Sequence, residues 1–341
     1  MTTLYLDRRD TRLKLEGRAL AIYTDEQRRG TVPIHLLEAV IMRSAVTLES
    51  SLLANLTEAG VSVVIFGGRN ARKVAQVHGP SHNDGARRVG QLRRFDDPAW
   101  CLAWTRRLVS GKLRRQQRLL VSALAARPDL RQALLKARDQ LQQARRRAAD
   151  PSTSAIDSLR GIEGAGAAAY FSAYCALFAP ELQFTGRNRR PPRDPVNAVL
   201  SLSYTLLHSE AVRACYGAGL DPIIGYYHAL DYGRESLASD LIEPLRPLVD
   251  AWVWAQFRSR QLRADQFSRD GEACLLGKSG RQHFYAGWEL FVRPQRRLLR
   301  RLCRTLAVRL AAAGAVAAVT ARATGIAGAA DTTVAKENAD Q

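Results

Sequence analysis

Residues 80–97, PSHNDGARRVGQLRRFDD, mark the point at which the pattern of the sequence changes. The stretch is rich in Ser, Asn, Asp, Gly and Arg, a composition typical of a loop or linker. Short strand-like patterns precede it, and longer helical patterns follow it. The sequence therefore predicts a first domain over residues 1–85, a linker over 86–97 and a second domain over 98–310.

The residues before this boundary have the pattern of β-strands. Apolar and polar residues alternate over 13–22, with Gly17 at the expected turn. The segment VSVVIF (61–66) is a short apolar run, and KVAQVH (73–78) alternates again. One helix is expected over about 48–59. The first domain is therefore predicted to be small and rich in strands, with a single embedded helix.

The residues after the boundary are helical in pattern. Residues 106–147 carry thirteen Lys or Arg and only two Asp, interleaved with leucines. Pro128 should divide this segment into two helices, because proline lacks a backbone donor and clashes with the preceding turn. The helical spacing continues to about residue 310. Residues 311–341 are rich in Ala, Gly and Thr, and we expect a frayed helix running into disorder.

The chain is strongly basic: 51 Lys and Arg against 32 Asp and Glu give a formal net charge of +19. This excess predicts a polyanionic partner, with nucleic acid as the first candidate and an anionic membrane surface as the second. The membrane alternative is weaker, because no basic amphipathic stretch carries an aromatic face. Phosphate-loop, dinucleotide-binding, Gly-x-Ser-x-Gly and paired-cysteine zinc motifs are absent from the sequence, which argues against those enzyme classes.

Two features of the sequence favour a cytoplasmic protein. Its five cysteines are scattered and odd in number, which suits a reducing compartment better than a disulfide framework. The N-terminus, MTTLYLDRR, lacks the basic-then-apolar order of a signal peptide. We therefore expect a soluble protein of the cytoplasm.

Glu163 is the first candidate for chemistry. It lies in IEGAGAAAYF (162–171), where a single acid heads a helix-like run of small and apolar residues. An ionised carboxylate is very costly to bury alone, so Glu163 must be exposed, paired or bound to a cation. The alternative is an ordinary glutamate in the first turn of a helix, favoured there by the helix dipole.

His228 and the acids that follow it are the second candidate. A helix that starts at Ser236 would place Asp240 and Glu243, three residues apart, on one face. One imidazole with two or three carboxylates favours a site for Mg²⁺ or Mn²⁺, and the imidazole shifts the preference towards Mn²⁺. The alternative is a solvated acidic face beside a structural histidine.

The segment NRRPPRDPVN (188–197) is the third candidate. Three arginines stand among three prolines, so the segment cannot form an ordinary helix. Arginine suits bidentate contact with phosphate, and a proline-stiffened loop would present it at low entropic cost. An exposed basic linker is the alternative interpretation.

Taken in order, several segments resemble the CRISPR-associated adaptation endonuclease, the universal catalytic subunit of spacer integration. The resemblance covers residues 1 to about 305, and its specificity comes from the order and spacing of the segments. They are GKLRRQQR (111–118), LRGIEGA (159–165), NRRPPRDPVN (188–197), LSLSY (200–204), GLDP (219–222), His228, GRESLA (233–238) and DLIEPLRP (240–247).

The resemblance implies one divalent metal, Mg²⁺ or Mn²⁺, held by Glu163, His228 and Glu243, with Asp240 as an auxiliary acid. It also implies an α+β protein: a small N-terminal β-sandwich domain with one helix, used for dimerisation, then a larger all-α catalytic domain. The implied partners are double-stranded DNA, a second copy of the chain and a small ferredoxin-like subunit. Pro244 departs from the family pattern without removing a proposed ligand.

The implied reaction inserts short DNA at a CRISPR repeat by phosphoryl transfer. Two alternatives stay open: a metal nuclease that cuts DNA without integrating it, and a non-catalytic DNA-binding scaffold whose acids pair with nearby arginines. Basic residues are expected to follow the DNA backbone without reading bases. The proposed DNA contacts are Lys112, Arg189, Arg190, Arg193, Lys278 and Arg281.

Overall fold

The structure, a computed structural model, describes residues 2–67, 73–79, 82–188 and 191–337. Within these ranges, the first part of the chain forms two four-stranded sheets and one helix. Its elements are β1 (Thr2–Leu6), β2 (Thr11–Glu16), β3 (Ala19–Thr24), β4 (Gln27–Pro33), β5 (Leu37–Met42), β6 (Val46–Leu48), α1 (Ser50–Glu58), β7 (Ser62–Gly67) and β8 (Lys73–Val77).

The two sheets form the predicted β-sandwich. One sheet has the order β1-β5-β7-β8, in which only β8 runs antiparallel to its neighbour, and the other has the order β4-β3-β2-β6. Leu13 and Leu20 from one sheet meet Val40 and Val63 from the other in a common core, closed by Leu56 of α1. The alternating pattern therefore predicted this domain correctly.

The rest of the chain is mostly helical, and Pro128 separates two helices as predicted. Three helices begin at an aspartate whose carboxylate accepts a backbone hydrogen bond from the first turn: Asp84, Asp97 and Asp194. The elements are α2 (Gly85–Phe95), α3 (Pro98–Ala126), α4 (Arg131–Ala149), α5 (Ile156–Cys175), α6 (Pro195–Gly217), α7 (Ser236–Ile242), α8 (Arg246–Arg258), β9 (Phe267–Asp270), β10 (Ala273–Leu276) and α9 (Lys278–Glu337).

The sheet β1-β5-β7-β8 is buried on both faces. Successive strand residues point to opposite sides, so Val63 joins the sandwich core while Val64 and Phe66 join the core of the helical domain. Tyr5 of β1 also stacks on Tyr285 of α9, with ring centroids 4.4 Å apart. The two domains therefore share a continuous packed interface.

A buried arginine adds charge to that interface. Arg296 of α9 is 3% exposed and binds Glu210 of α6 and Glu289 of α9, each at 2.7 Å. The same guanidinium donates to the Thr3 hydroxyl of β1 at 2.9 Å. Because a buried charge must be compensated, these contacts fix α9 against the first domain.

Two sequence predictions need correction. The predicted linker over 86–97 is mostly the helix α2, because Asp84 caps it and Gly90 lies directly against the Leu310 backbone of α9. The predicted all-α domain contains a small hairpin, β9-β10, which pairs over residues 267–276. The helix expected from residue 311 is present as the continuation of α9 to Glu337, and alanine favours helix even where large apolar side chains are lacking; the disorder expected after it stays a prediction.

Across residues 2–67, 73–79, 82–188 and 191–337, no helix is both long enough and apolar enough to cross a membrane.

The crossing of α2 and α9 generates a stability prediction. A Cβ atom at Gly90 would overlap the carbonyl oxygen of Leu310, so the two helices would have to separate. Gly90→Ala should lower the free energy of unfolding by roughly 2 kcal/mol. Gly161→Ala is the matched control, because Gly161 of α5 faces open space; this change should raise stability by roughly 0.5–1 kcal/mol. Urea unfolding followed by tryptophan fluorescence measures both, and equal effects would contradict the close crossing.

Candidate active site

Asp240 of α7 is a fully buried carboxylate at the centre of the candidate site. It accepts hydrogen bonds from the backbone N–H groups of Tyr226, Tyr227 and His228 at 2.8, 3.0 and 3.0 Å. The indole Nε1 of Trp104 on α3 donates a fourth at 3.1 Å. These donors replace the water that the carboxylate loses on burial, and they fix the loop before α7 in one conformation.

The same carboxylate orients the imidazole of His228. The distance from Nδ1 of His228 to Oδ1 of Asp240 is 2.7 Å. Because an ionised carboxylate only accepts, Nδ1 donates, and in the neutral imidazole the lone pair is on Nε2. Nε2 lies 3.9 Å from Oε1 of Glu243. Asp240, predicted as an auxiliary acid, is therefore a positioning residue whose oxygens are already taken by five donors.

The helix α2, which the sequence did not predict, holds the start of this loop. The buried Gln91 side chain donates to the carbonyl oxygens of Asp221 and Ile224 at 2.7 and 2.8 Å, and accepts from the Asp221 N–H at 2.9 Å. Gly225 follows, where a Cβ atom would lie 2.6 Å from the backbone of Ser236. The Asp84 helix cap was the sequence signal that could have revealed α2.

Glu163 and Glu243 are brought together by Lys112. Glu163 lies two turns inside α5, so the alternative of a first-turn glutamate is wrong. The Lys112 ammonium of α3 donates to Glu163 and, at 2.6 Å, to Oε2 of Glu243. The Lys112 side chain is 15% exposed, which makes it part of the site and not of the surrounding surface. Glu163 and Glu243 therefore share one ammonium, and His228 lies beside Glu243.

The electrostatics favour an ionised Glu243. This residue follows α7 in a short 3₁₀ turn, and its Oε1 lies 2.9 Å from Nε of Arg246. Burial alone would raise the pKa of Glu243, but Arg246 and Lys112 outweigh it and lower that pKa to about 2. Glu243 is thus a carboxylate near neutral pH.

The donors fit a divalent cation, although the side chains are not yet arranged around one. Among the described residues, no three His, Cys, Asp or Glu side chains form a ready metal-binding group. Such a group is not formed because the Lys112 ammonium stands between Glu163 and Glu243. That ammonium nevertheless shows that the position holds positive charge, and carboxylate oxygens with one imidazole nitrogen suit Mg²⁺ or Mn²⁺.

The predicted DNA contacts are found in different surroundings. Lys278 is exposed, and the exposed Arg193 pairs with Glu272 at 3.2 Å. Arg281 is half-buried, pairs with Asp7 and donates to a backbone carbonyl of the β9-β10 hairpin. Lys112 is occupied by the two glutamates. Two further residues lie outside the described residues: Arg189 and Arg190.

A second buried carboxylate lies behind the site. Asp250 of α8 accepts hydrogen bonds from the hydroxyls of Tyr204 and of Tyr170, the latter at 2.8 Å. It lines a small cavity together with Glu243 and Lys112. Burial raises the pKa of Asp250 to about 6, and hydrogen bonds from the two tyrosines oppose the rise only in part.

Comparison with known proteins identifies the family. Residues 4–290 match the family model described as CRISPR associated protein Cas1. A CRISPR-associated endonuclease Cas1 from Thermodesulfovibrio yellowstonii is 36% identical over 305 residues, which cover 88% of this chain and 94% of the relative. Another from Rhodospirillum rubrum is 34% identical, and the match covers 87% of this chain and 88% of the relative. The chain belongs to the Cas1 family, as the sequence resemblance predicted.

Solved structures confirm the fold. A Cas1 protein from Thermotoga maritima has a TM-score of 0.78 at 23% identity, covering 91% of this chain and 97% of its own. A casposase bound to an integration product has a TM-score of 0.76 at 20% identity, covering 92% of this chain and 91% of its own. A chain of a Cas6-RT-Cas1–Cas2 complex also has a TM-score of 0.76, at 24% identity, covering 91% of this chain and 35% of its own.

The raised pKa of Asp250 predicts how stability depends on pH. Its folded-state pKa of about 6 lies above its ordinary value of 3.8. Protonated Asp250 therefore makes its full contribution to the unfolding free energy below pH 4. This contribution, roughly 3 kcal/mol, is lost as pH rises through 6. Asp250→Asn should remove this part of the pH dependence.

Urea unfolding between pH 4.5 and 7.5 tests this prediction. The difference in unfolding free energy between wild type and Asp250→Asn should change across that range. The exposed Asp231 provides the control, and Asp231→Asn should run parallel to wild type. If the unfolding free energy of Asp250→Asn also runs parallel to that of wild type, Asp250 is ionised in the folded protein throughout this pH range.

Proposed function

We propose that this protein is a metal-dependent DNA endonuclease and integrase that inserts short foreign DNA into a CRISPR repeat array. The observation that carries the proposal is that the Lys112 ammonium joins Glu163 to Glu243, while His228 Nε2 lies 3.9 Å from the other oxygen of Glu243. Glu163 and Glu243 supply hard oxygen ligands, and His228 supplies a nitrogen oriented by Asp240. Mg²⁺ or Mn²⁺ is the cofactor that suits this set.

The proposed reaction exchanges one phosphodiester bond for another. The 3′-hydroxyl oxygen of the incoming DNA forms a bond to a phosphorus of the repeat, and the bond from that phosphorus to the repeat's own 3′ oxygen breaks. The attacking hydroxyl loses its proton and the leaving oxygen gains one. In simple cleavage, water takes the place of the 3′-hydroxyl. When bound, the metal supplies Lewis-acid polarisation of the phosphate.

The protein's own residues have distinct parts in this scheme. Glu163, Glu243 and His228 would hold the cation, and Asp240 orients the His228 ring so that Nε2 faces Glu243. Arg246 helps to hold Glu243 ionised, so that Glu243 would act as an anionic ligand. No covalent protein–DNA intermediate is required, and we assign no nucleophilic serine or tyrosine.

The relatives support the proposed substrate and partners. The two similar curated proteins are named endonucleases. One structural neighbour is bound to an integration product, and another is part of an assembly that includes Cas2. We propose by analogy that this chain acts in the cytoplasm on double-stranded DNA, as a homodimer with a small ferredoxin-like partner subunit.

The non-catalytic scaffold is the second candidate. Both glutamates are paired with protein cations, Lys112 and Arg246, as that alternative requires. The enzymatic proposal is preferred because His228 Nε2 also faces Glu243, at 3.9 Å, on a ring that Asp240 orients. A scaffold has no need of an oriented imidazole beside two acids.

The first functional prediction concerns Glu163. Glu163→Gln should reduce Mn²⁺-dependent joining of labelled duplex to a repeat-containing plasmid by at least about a hundredfold, because loss of a direct ligand exceeds the loss of an outer one. The reaction includes the small partner subunit, and duplex lacking 3′-hydroxyls shows whether joining uses them. Glu181→Gln, at an exposed glutamate, is the control and should behave as wild type.

The outcomes of this assay separate the candidates. Loss of joining in Glu163→Gln alone supports the integrase. Cleavage without joining by wild type would support a nuclease that does not integrate. Equal activity of both proteins would place the active site elsewhere, and DNA binding without cleavage or joining by either would support the scaffold.

The second functional prediction concerns DNA affinity. Arg114 and Arg118 are exposed on α3, where they are free to follow the phosphate backbone. Reversing both charges to Glu should weaken binding and reduce the slope of log affinity against log salt by about 2, one for each lost phosphate contact. The control reverses Arg9 and Arg12, which are exposed in the first domain. Affinity that does not change with salt would exclude backbone recognition.

A further inference from the structure

We propose that Lys112 is an exchangeable internal counter-ion: its ammonium occupies the metal position in the metal-free protein and must leave for a divalent cation to bind. The inference rests on the proposed function, since it concerns the same site. It assigns Lys112 a part different from the DNA contact predicted from the sequence, because this residue would set the affinity of the site for metal.

The position of Lys112 is the first support. Its ammonium contacts Glu163 and lies 2.6 Å from Glu243, so it joins the two carboxylates proposed to bind metal. Only 15% of its side chain is exposed. Burial lowers the pKa of Lys112, but Glu243 and Glu163 outweigh burial and raise it, so the ammonium stays charged. A charged group at this place competes with any other cation.

The balance of charge is the second support. Glu163 and Glu243 carry two negative charges, and Lys112 and Arg246 carry two positive charges, so the four side chains are neutral together. A divalent cation added without movement would give this buried group a net charge of +2. If Lys112 withdrew, the net charge of the group would be +1 instead. Because like charges repel strongly where water is scarce, exchange is favoured over joint occupancy.

The two neighbouring cations differ in their freedom to move. Arg246 is packed over the ring of Tyr204 with its guanidinium carbon 4.8 Å from the ring centre, which holds it in place. Lys112 carries a compact charge on a flexible four-carbon stem, so its ammonium can swing away without moving α3. Lys112 is therefore the cation that leaves. Metal binding would then release the Lys112 ammonium beside the place proposed for the DNA phosphate.

The exchange predicts opposite effects of one substitution on stability and on metal affinity. Lys112→Met should lower the melting temperature in EDTA by about 5 °C, because two buried carboxylates lose a partner. The same change should tighten Mn²⁺ binding by about tenfold, since the competing state is removed. Lys112→Arg keeps the charge and should bind Mn²⁺ no more tightly than wild type.

The test measures Mn²⁺ binding directly, without DNA, from the electron paramagnetic resonance signal of free Mn²⁺. Thermal unfolding with and without Mn²⁺ is recorded on the same full-length proteins. Lys136→Met is the matched control, because it removes one lysine charge from an exposed position on α4. Its Mn²⁺ affinity and melting temperature should equal those of wild type.

Glu163→Gln separates failure of this inference from failure of the proposed function. If wild type binds Mn²⁺ and Glu163→Gln does not, the metal site stands; Lys112→Met that then binds no more tightly than wild type overturns the exchange alone. If wild type and Glu163→Gln bind equally, both the metal site and the exchange are overturned. If Lys112→Met does not fold in EDTA, Lys112→Arg decides: Mn²⁺ affinity above that of wild type contradicts the exchange.

Discussion

The buried carboxylate of Asp240 is the constraint on which the site depends. Its charge cannot be left without partners inside the protein, and five donors from α3, the 226–228 backbone and the His228 ring surround it. Those donors lie on separate parts of the chain, so satisfying one charge joins them. The orientation of His228 is a consequence of this arrangement, as is the approach of α7 to α3.

Around this fixed centre, the remaining charges form a balanced group that has room to rearrange. Glu163 and Glu243 belong to different helical segments and would repel each other without cations between or beside them. Arg246 is held by an aromatic ring, whereas Lys112 is held only by the carboxylates themselves. The site is therefore rigid where Asp240 orients His228 and adaptable where Lys112 stands between the two glutamates, a useful division for an enzyme that handles a charged polymer.

Much of this organisation could be predicted from the sequence, and the failures have physical causes. Alternation over 13–22 and the position of Pro128 identified strands and a helix break, because these depend on local geometry. The family resemblance grouped Glu163, His228 and Glu243, which no local pattern could have done. The helix α2 was missed because its buried side is formed by Gly90 and Gln91 and not by large apolar side chains. Asp240 and Lys112 make their contacts only when helices distant in sequence pack together. These contacts were therefore not predictable from the sequence.

The sheet with two buried faces has a consequence for how such a protein can evolve. Val64 and Phe66 belong to the helical core although they stand on a strand of the first domain, and Arg296 continues that connection with charge. The sandwich is therefore not a self-contained module that recombination could exchange for another. A replacement sheet would have to match an apolar surface and a buried guanidinium at once, so the two domains are expected to have been inherited together.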